Sequence, residues 1–170
     1  VGMAGGSYVG IVQWYAAKSR NPRLKAIVPR VTPPDPCENI PWLGGAFVLG
    51  AAWWARVVER PHEARTEAVD WPAKLATLPL SDLDAALGLT SPFLDQWVAH
   101  PPHDPWWEPT RYQRHHGTME VAALNVSGWY DGNQPGAPTN FAGMRRAATS
   151  DRVRRAQHLV LGPWPHNLNR

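Results

Sequence analysis

The sequence predicts an α/β fold in which a mainly parallel sheet carries an inserted helical cap. Short apolar stretches typical of buried strands occur near both ends of the 170-residue chain, at residues 1–4, 24–28, 121–127 and 158–161. Helical patterns alternate with these stretches, as a parallel sheet requires. The middle of the chain differs, because residues 40 to about 116 contain several short helical patterns and no convincing strand.

The composition is typical of one folded domain. A chain of this length buries about two thirds of its unfolded surface, and its residues are 44% hydrophobic and 18% charged. No apolar run approaches the roughly 20 residues of a membrane span. Ten tryptophans and 18 prolines favour irregular, aromatic-lined structure and therefore a ligand pocket.

Charge and cysteine content argue against several functions. The net charge of +3 is mild, and we interpret the densest basic cluster, Arg152 to Arg155, as a solvated loop. We therefore expect neither a nucleic-acid nor a membrane partner. Cys37 is the only cysteine, which excludes an internal disulfide, a cysteine metal cluster and a CxxC redox motif. The cellular compartment stays open.

The first part of the chain predicts a strand, a helix and a strand. Residues Tyr8 to Lys18 are nearly all apolar or small, which predicts a buried helix, and Asn21-Pro22 supplies a stop signal. Leu24 to Val28 follows as a short strand closed by Pro29. This order implies a parallel pair of strands with a right-handed crossover.

The predicted cap contains three helical segments. The first covers Gly45 to Glu59, and Ser81 to Asp84 reads as the start of a second. The third begins at Ser91-Pro92 and continues to Val98, with proline at its first position.

The last part of the chain returns to strands. Val121 to Ser127 predicts one strand, whose tail carries Asp131, and His158 to Leu161 predicts another, whose tail carries His166. A helix from about Thr139 to Ala148 joins them. Each of these two strands therefore delivers one ionisable residue at its carboxyl end.

Ser7 is the candidate nucleophile. It lies between small residues and a long apolar run, as in a sharp turn that joins a strand to a buried helix and lifts a serine hydroxyl clear. The backbone N–H of Tyr8 would then point at developing negative charge. The alternative is that Ser7 only caps the helix, since serine is a favoured N-cap residue.

Ser7, Asp131 and His166 together form a candidate catalytic triad. Ligands of open α/β sheets bind at the carboxyl ends of the strands, where all three residues are expected. His166 would accept the serine proton, and Asp131 would orient and stabilise the imidazole. Taken singly, Asp131 could be a turn residue and His166 an ordinary loop histidine. Their order along the chain, serine, acid, histidine, is that of the α/β-hydrolases.

A metal site is a weaker alternative. The segment His100-Pro101-Pro102-His103-Asp104 contains ligand types, but its prolines preclude the helix that would set the spacing of ligands. We expect no metal and no cofactor.

Three motifs contain the candidate site residues: Gly5-Gly6-Ser7-Tyr8-Val9-Gly10, Gly128-Trp129-Tyr130-Asp131-Gly132 and Gly162-Pro163-Trp164-Pro165-His166. In these motifs the chain resembles the cocaine esterase and X-Pro dipeptidyl-peptidase family of serine hydrolases, often labelled CocE/NonD. In that family the nucleophile turn reads G-x-S-Y-x-G. The resemblance implies an α/β-hydrolase fold and cleavage of ester or amide bonds through an acyl-enzyme on Ser7, with Asp131 as acid, His166 as base and the Tyr8 N–H as one oxyanion donor.

The resemblance also implies a division of the chain into core residues 1–39, a cap at residues 40–116 and core residues 117–170. Family members supply a second oxyanion donor, a tyrosine hydroxyl, from a region that would precede Val1. They also carry a jelly-roll domain after the histidine. The chain is therefore interpreted as an internal fragment, whose exposed sheet edges would favour self-association.

Two other functions remain open from the sequence. The parent protein could be an enzyme while this piece is inactive, or the chain could be a non-catalytic binding module with an aromatic platform. The expected substrate is a small ester, amide or short peptide. Carboxylates of the cap could recognise a substrate amine, but solvated helix faces explain them more simply. The platform residues would be Trp42, Trp53, Trp54, Trp106 and Trp107, and the carboxylates Glu59, Glu63, Glu67 and Asp70.

Overall fold

A computed structural model describes residues 1–62 and 68–168 of the chain. The elements of the sheet region are β1 (Gly2–Gly6), α1 (Tyr8–Lys18), β2 (Ala26–Arg30), β5 (Ala122–Tyr130), α6 (Gly136–Ala147), α7 (Asp151–Arg155) and β6 (Gln157–Pro165). Between β2 and β5 lie β3 (Trp42–Leu43), β4 (Ala46–Phe47), α2 (Gly50–Glu59), α3 (Trp71–Leu75), α4 (Leu83–Ala86), α5 (Pro92–Ala99) and 3-10 turns at Leu80–Asp82, Pro105–Thr110 and Gln113–Thr118.

Four strands form a parallel sheet in the order β1-β2-β5-β6. Because the order in space follows the order in sequence and crossovers of parallel strands are right-handed, α1 and α6 pack on the same face of the sheet. The carboxyl ends of all four strands meet at one edge. This architecture confirms the predicted α/β fold with a mainly parallel sheet.

The main core lies between this face of the sheet and the helices that cover it. Trp14 of α1, Ile27 of β2 and Met144 of α6 are fully or nearly fully buried there, and Tyr112 stacks on Trp14 with ring centroids 5.7 Å apart. Burying side chains of this size contributes about 1.5–3 kcal/mol each. The core therefore fixes the helices on the sheet and, with them, the strand ends.

Helix α1 begins and ends as predicted, but only one face of it is buried. Gln13, Trp14 and Ala17 face the core, whereas Tyr8 and Val9 at its first turn are 64% and 53% exposed. The prediction of a wholly buried helix was therefore wrong. The apolar first turn of α1 lies at the edge of the sheet where the site residues were expected.

Strand β2 extends beyond the predicted end, since it includes Pro29 and Arg30. Proline lacks the N–H that a central strand needs. The pairs between β2 and β5 are Ala26–Ala122, Ile27–Ala123 and Arg30–Val126, so Pro29 lies where the ladder is interrupted.

A second, smaller core joins the helices that lie between β2 and β5. Ala52 and Ala55 of α2 pack there with Leu83, Leu87, Leu89 and Leu94. Helix α5 begins as predicted, with the Ser91 hydroxyl accepting the N–H of Leu94. The first predicted helix is shorter than expected, because α2 begins only at Gly50.

Two features of the chain contradict the expectations. The segment predicted to lack strands contains the hairpin β3–β4, whose turn is made by Gly44 and Gly45 at φ values of 57° and 88°. Glycine is favoured at these angles, and Gly-Gly is a known hairpin turn. The basic cluster Arg152 to Arg155 belongs to helix α7 rather than to a loop, and Ser150 caps that helix.

Within the described residues, none of the helices is both long enough and apolar enough to span a membrane.

Candidate active site

Ser7 lies at the turn between β1 and α1 in a strained backbone conformation. Its φ of 55° and ψ of −123° are sparsely populated by residues other than glycine and cost about 1–3 kcal/mol. The backbone holds this geometry from both sides. The N–H of Ser7 donates to Arg30 O at 2.8 Å, and its carbonyl accepts the N–H groups of Gly10 and Ile11. A strand, a strained serine and a helix in this order match the geometry of a nucleophile turn.

The alternative that Ser7 serves as a helix cap is not supported. Its side chain makes no capping hydrogen bond to the first turn of α1, although that bond is what makes serine a favoured N-cap. The hydroxyl is thus left for other chemistry. Tyr8 is the first residue of the helix, so its N–H has no acceptor within the helix. It can therefore donate a hydrogen bond to a negatively charged oxygen at this end.

The position of Gly10 has a structural cause. A Cβ atom at residue 10 would lie 2.0 Å from Thr32 Oγ1 and 3.1 Å from Arg30 O. Helix α1 therefore approaches the residues that follow β2 closely enough that only glycine fits. This contact explains why a glycine stands three residues after the serine.

Asp131 is held in a buried, fully hydrogen-bonded position after β5. Its side chain is 0% exposed and accepts three hydrogen bonds. Ser127 Oγ donates to Oδ2 at 3.0 Å, the Asn133 N–H donates to Oδ1 at 3.0 Å, and His166 Nδ1 lies 2.7 Å from Oδ1. Burial alone would raise the pKa of Asp131. The hydrogen bonds from these three partners outweigh burial and hold the pKa below its ordinary value of 3.8.

His166 contacts Asp131 through one ring nitrogen only. With Nδ1 donating to the carboxylate, Nε2 is left to accept a proton, and 47% of the side chain is exposed. The hydrogen bond to Asp131 raises the pKa of His166 above its ordinary value of 6.5, while partial burial acts in the opposite direction. The pair has the arrangement of a general base and the acid that orients it.

The sheet brings Asp131 and His166 together and places Ser7 on the same edge. β5 and β6 are neighbours, and an extra residue on β6 between the pairs Gly128–Gly162 and Tyr130–Pro165 forms an irregularity just before His166. Such bulges re-aim side chains near active sites. β1 lies three strand spacings from β6, about 14 Å across the sheet. No hydrogen bond joins Ser7 to His166 within the described residues.

Sequence reasoning missed two residues that contact the acid. Ser127 is completely buried and donates to Asp131, although it was read only as the end of a strand. Asn133 bonds the same carboxylate through its backbone. The sequence carries a signal for the second contact, because an aspartate commonly accepts the N–H of the residue two positions later.

The other candidate groups do not join this site. His100 is bound through both ring nitrogens, to Asp104 and Gln96, so it offers no free ligand atom. No cluster of three metal-ligating side chains occurs in residues 1–62 and 68–168.

The tryptophans proposed as a platform divide between interior and surface. Trp42 and Trp107 are buried and bond backbone carbonyls, whereas Trp53 is 51% exposed.

The carboxylates considered for recognition of a substrate amine lie at the ends of different helices. Asp70 caps α3 and Glu59 ends α2. Glu63 and Glu67 lie outside the described residues.

The bond between Asp131 and His166 can be tested without turnover. Asp131→Asn keeps the shape of the side chain but removes its charge, so the pKa of His166 is expected to fall to or below 6.5. An NMR titration of the imidazole measures this change. Asp104→Asn is a matched control, since it removes the carboxylate of a similar pair, with His100, at 3.0 Å. An unchanged His166 pKa in Asp131→Asn would show that the pair does not form in solution.

Known proteins are similar to this chain over nearly its whole length. The chain is 32% identical over 187 residues to cocaine esterase from Rhodococcus sp. (strain MB1 Bresler), covering 98% of this chain and 31% of that protein. It therefore spans about a third of the length of this relative.

Two solved structures share the fold. An aminopeptidase from the marine sediment archaeon Thaumarchaeota archaeon matches with a TM-score of 0.75 and 24% identity, over 98% of this chain and 28% of that one. An α-amino acid ester hydrolase matches with a TM-score of 0.74 and 23% identity, again over 98% and 28%. A model of the X-Pro dipeptidyl-peptidase (S15) family matches residues 1–167. The chain belongs to this family.

Proposed function

We propose that this chain carries the catalytic residues of a serine hydrolase that cleaves ester or amide bonds through an acyl-enzyme on Ser7. The hydrogen bond between His166 and Asp131, at the sheet edge that also presents Ser7, carries the proposal. A serine hydroxyl is a poor nucleophile unless a neighbouring base accepts its proton. His166 is the candidate for this base, because one ring nitrogen is free, the other is held by a buried acid, and its strand ends at the same sheet edge as the Ser7 turn.

The proposed reaction begins when Ser7 Oγ attacks the carbonyl carbon of the substrate and His166 Nε2 accepts the serine proton. Asp131 stabilises the imidazolium that forms and keeps the ring in one tautomer. The N–H of Tyr8 donates to the oxygen that becomes negative. The imidazolium then protonates the leaving alcohol or amine as its bond to carbon breaks. In the second half, His166 takes a proton from a water molecule whose oxygen attacks the acyl carbon. The bond from that carbon to Ser7 Oγ then breaks, the imidazolium returns its proton to Ser7 Oγ, and the acid product leaves.

The strained turn at Ser7 supports this mechanism. A nucleophile must reach the substrate carbonyl without a hydrogen bond that ties its oxygen elsewhere, and the Ser7 side chain makes no capping bond. The exposure of Tyr8 and Val9 leaves the first turn of α1 open to a ligand. In the proposed mechanism the strained turn would serve to direct the hydroxyl and the Tyr8 N–H toward the same space.

The substrate class follows from the family and its relatives. The family is named for X-Pro dipeptidyl-peptidase, which cleaves peptides, and the relative from Rhodococcus is named for its action on cocaine, an ester. Both reactions transfer an acyl group from a small substrate. We infer that this protein acts on a small ester, amide or short peptide.

A fluorophosphonate probe tests the proposal directly, because it reacts covalently with an activated serine. The expected result is one phosphonylated peptide that contains Ser7, found by mass spectrometry. Ser7→Ala is expected to abolish the label, and Ser19→Ala, at the other end of α1, to retain it. Labelling that is absent, or that persists in Ser7→Ala, would overturn the assignment. An aromatic binding platform would give no covalent label at all.

A further inference from the structure

Val31, the residue that follows β2, has a backbone angle that its residue type rarely adopts. Val31 has a φ of 45°, although β-branched residues avoid positive φ, and the side chain is only 4% exposed. Strain of this kind persists only when the surroundings over-determine it. Two contacts do so here. The N–H of Val31 donates to Val126 O at 2.8 Å, and its carbonyl accepts Asn133 Nδ2 at 3.3 Å.

These contacts place Val31 between the nucleophile and the acid. On one side, the preceding residue Arg30 accepts the N–H of Ser7 through its carbonyl. On the other side, Asn133 bonds Val31 through its side chain and Asp131 through its backbone N–H. Asn133 therefore links the acid to the residue that follows Arg30, and Arg30 holds the serine turn.

Residues 31–33, the segment that follows β2, are fixed by close packing. Thr32 lies between two helices, because a Cβ atom at Gly10 of α1 would come within 2.0 Å of Thr32 Oγ1 and one at Gly136 of α6 within 1.9 Å of Thr32 O. Farther along, the hydroxyl of the fully buried Tyr112 donates to Pro33 O at 3.0 Å. A tightly packed segment can hold in place a loop that is hydrogen-bonded to it, here the loop after β5 that carries Asp131.

We propose that Asn133 is a positioning residue that holds the Asp131 carboxylate in place relative to the Ser7 turn by tying the acid loop to Val31. The inference rests on the proposed function. Asn133 touches no reacting atom in this arrangement and acts through Asp131. Without the side-chain bond, the loop after β5 has one fewer link to the turn that carries Ser7, so the carboxylate and the imidazole it orients lose their fixed position.

Asn133→Ala tests this role, because it removes the side-chain donor and keeps the backbone N–H. We expect the pKa of His166 to fall toward 6.5 in the NMR titration, since Asp131 is the ionisable group that acts on His166 and its bond weakens. We also expect kcat for an ester to fall by about 10- to 100-fold, with KM little changed. Asn133→Ser restores a donor and is expected to lie between the wild-type protein and Asn133→Ala in both measurements.

Asn39→Ala is the matched control. Asn39 also donates its side-chain amide to a backbone carbonyl of the acid loop, that of Gly132 at 3.0 Å, but among the described residues no hydrogen bond joins its side chain to Val31 or Asp131. It is expected to leave the His166 pKa and kcat unchanged even where it lowers stability, which urea unfolding measures separately.

The outcomes separate the two hypotheses, because the titration requires no turnover. A His166 pKa in folded Asn133→Ala equal to that of the wild-type protein overturns the positioning role. So does an equal fall in Asn39→Ala, since a general loosening of the loop would then explain both. Should Asn133→Ala fail to fold, a wild-type His166 pKa in Asn133→Leu, which keeps the size of the side chain but has no donor for the Val31 carbonyl, overturns it instead. The proposed function fails separately, by the loss of fluorophosphonate labelling at Ser7.

Discussion

Ser7→Ala is expected to lower the turnover of an ester substrate by about four to six powers of ten, while substrate binding changes little. The substitution removes the atom that would form the acyl-enzyme, and the imidazole of His166 then has no proton to accept. What remains is catalysis by the oxyanion donor and by substrate positioning. The measurement is kcat and KM for a chromogenic ester, with wild-type and variant protein prepared in parallel to limit contamination.

The variant is expected to fold as well as the wild-type protein. The Ser7 side chain makes no capping bond, and the hydrogen bonds of residue 7 use its backbone. Alanine and serine also tolerate the positive φ about equally. Ser19→Ala removes a serine whose hydroxyl donates to Ala16 O at the other end of α1, and it is expected to keep full activity. Hydrolysis by Ser7→Ala near the wild-type rate would exclude Ser7 as the nucleophile.

The sheet region was predictable because its signals are local. The first and last residues of helix α1 agree with the prediction, since apolar side chains precede a clear stop at Asn21-Pro22. The parallel sheet follows from alternating strands and helices. Strands β5 and β6 run three or four residues past their predicted ends, through glycine and proline. Glycine and proline have low strand propensity, and these segments are extended because the strands continue to pair, as in Gly128–Gly162 and Tyr130–Pro165. A single segment does not reveal such pairing.

The hairpin β3–β4 and helix α7 escaped prediction for different reasons. The hairpin has strands of two residues, too short for an alternating pattern, so its only signal was the turn Gly44-Gly45. In α7 the density of arginine suggested a solvated loop. The helix forms because Ser150 caps it and because Asp151 pairs with Arg154 and Arg155 on the next turn.

In the candidate site, too, some features could be predicted from the sequence and others could not. Ser7, Asp131 and His166 each follow an apolar strand, so their position at one sheet edge could be predicted from order alone. The bond from Ser127 to Asp131 and the link from Asn133 to Val31 could not. They join side chains to groups brought close by the turn after β5 and by the packing of α6, and these contacts depend on the assembled core.

Acidification is expected to destabilise the protein between pH 6.5 and about 4 because of His116. This histidine is 4% exposed, packs edge-on against Trp14 at 5.7 Å, and has its Nε2 buried without a partner among the described residues. Burial, the largest cause, lowers its pKa from 6.5 to about 4. The contact with Asn140 opposes this change and the charge of Arg146 adds to it.

The sign follows from the proton count. Between pH 6.5 and about 4 the unfolded chain protonates His116 and the folded chain does not, so the unfolded state is stabilised relative to the folded state as the pH falls. One pKa unit corresponds to about 1.4 kcal/mol, so the full loss at the lower limit is about 3 kcal/mol. Groups with raised pKa values act oppositely: those of Asp35 and Asp95 add stability as the pH falls toward 3.8, and that of His166 adds stability as the pH falls toward 6.5. The lowered pKa values of Asp104 and Asp131 act in the same direction as that of His116, but at lower pH, as the carboxylates protonate.

A comparison of variants isolates the contribution of His116 from those of Asp35 and His166. His116→Gln and His116→Phe remove the titrating group, the first with a polar amide and the second with a ring of similar shape. Urea unfolding at pH 7 and at pH 4.5 is expected to show a smaller loss of unfolding free energy in both variants than in the wild-type protein, whatever their absolute stability. An equal loss in all three proteins would mean that His116 takes up its proton in the folded state as easily as in the unfolded chain. The imidazole would then be reached by water despite its position between Trp14 and α6.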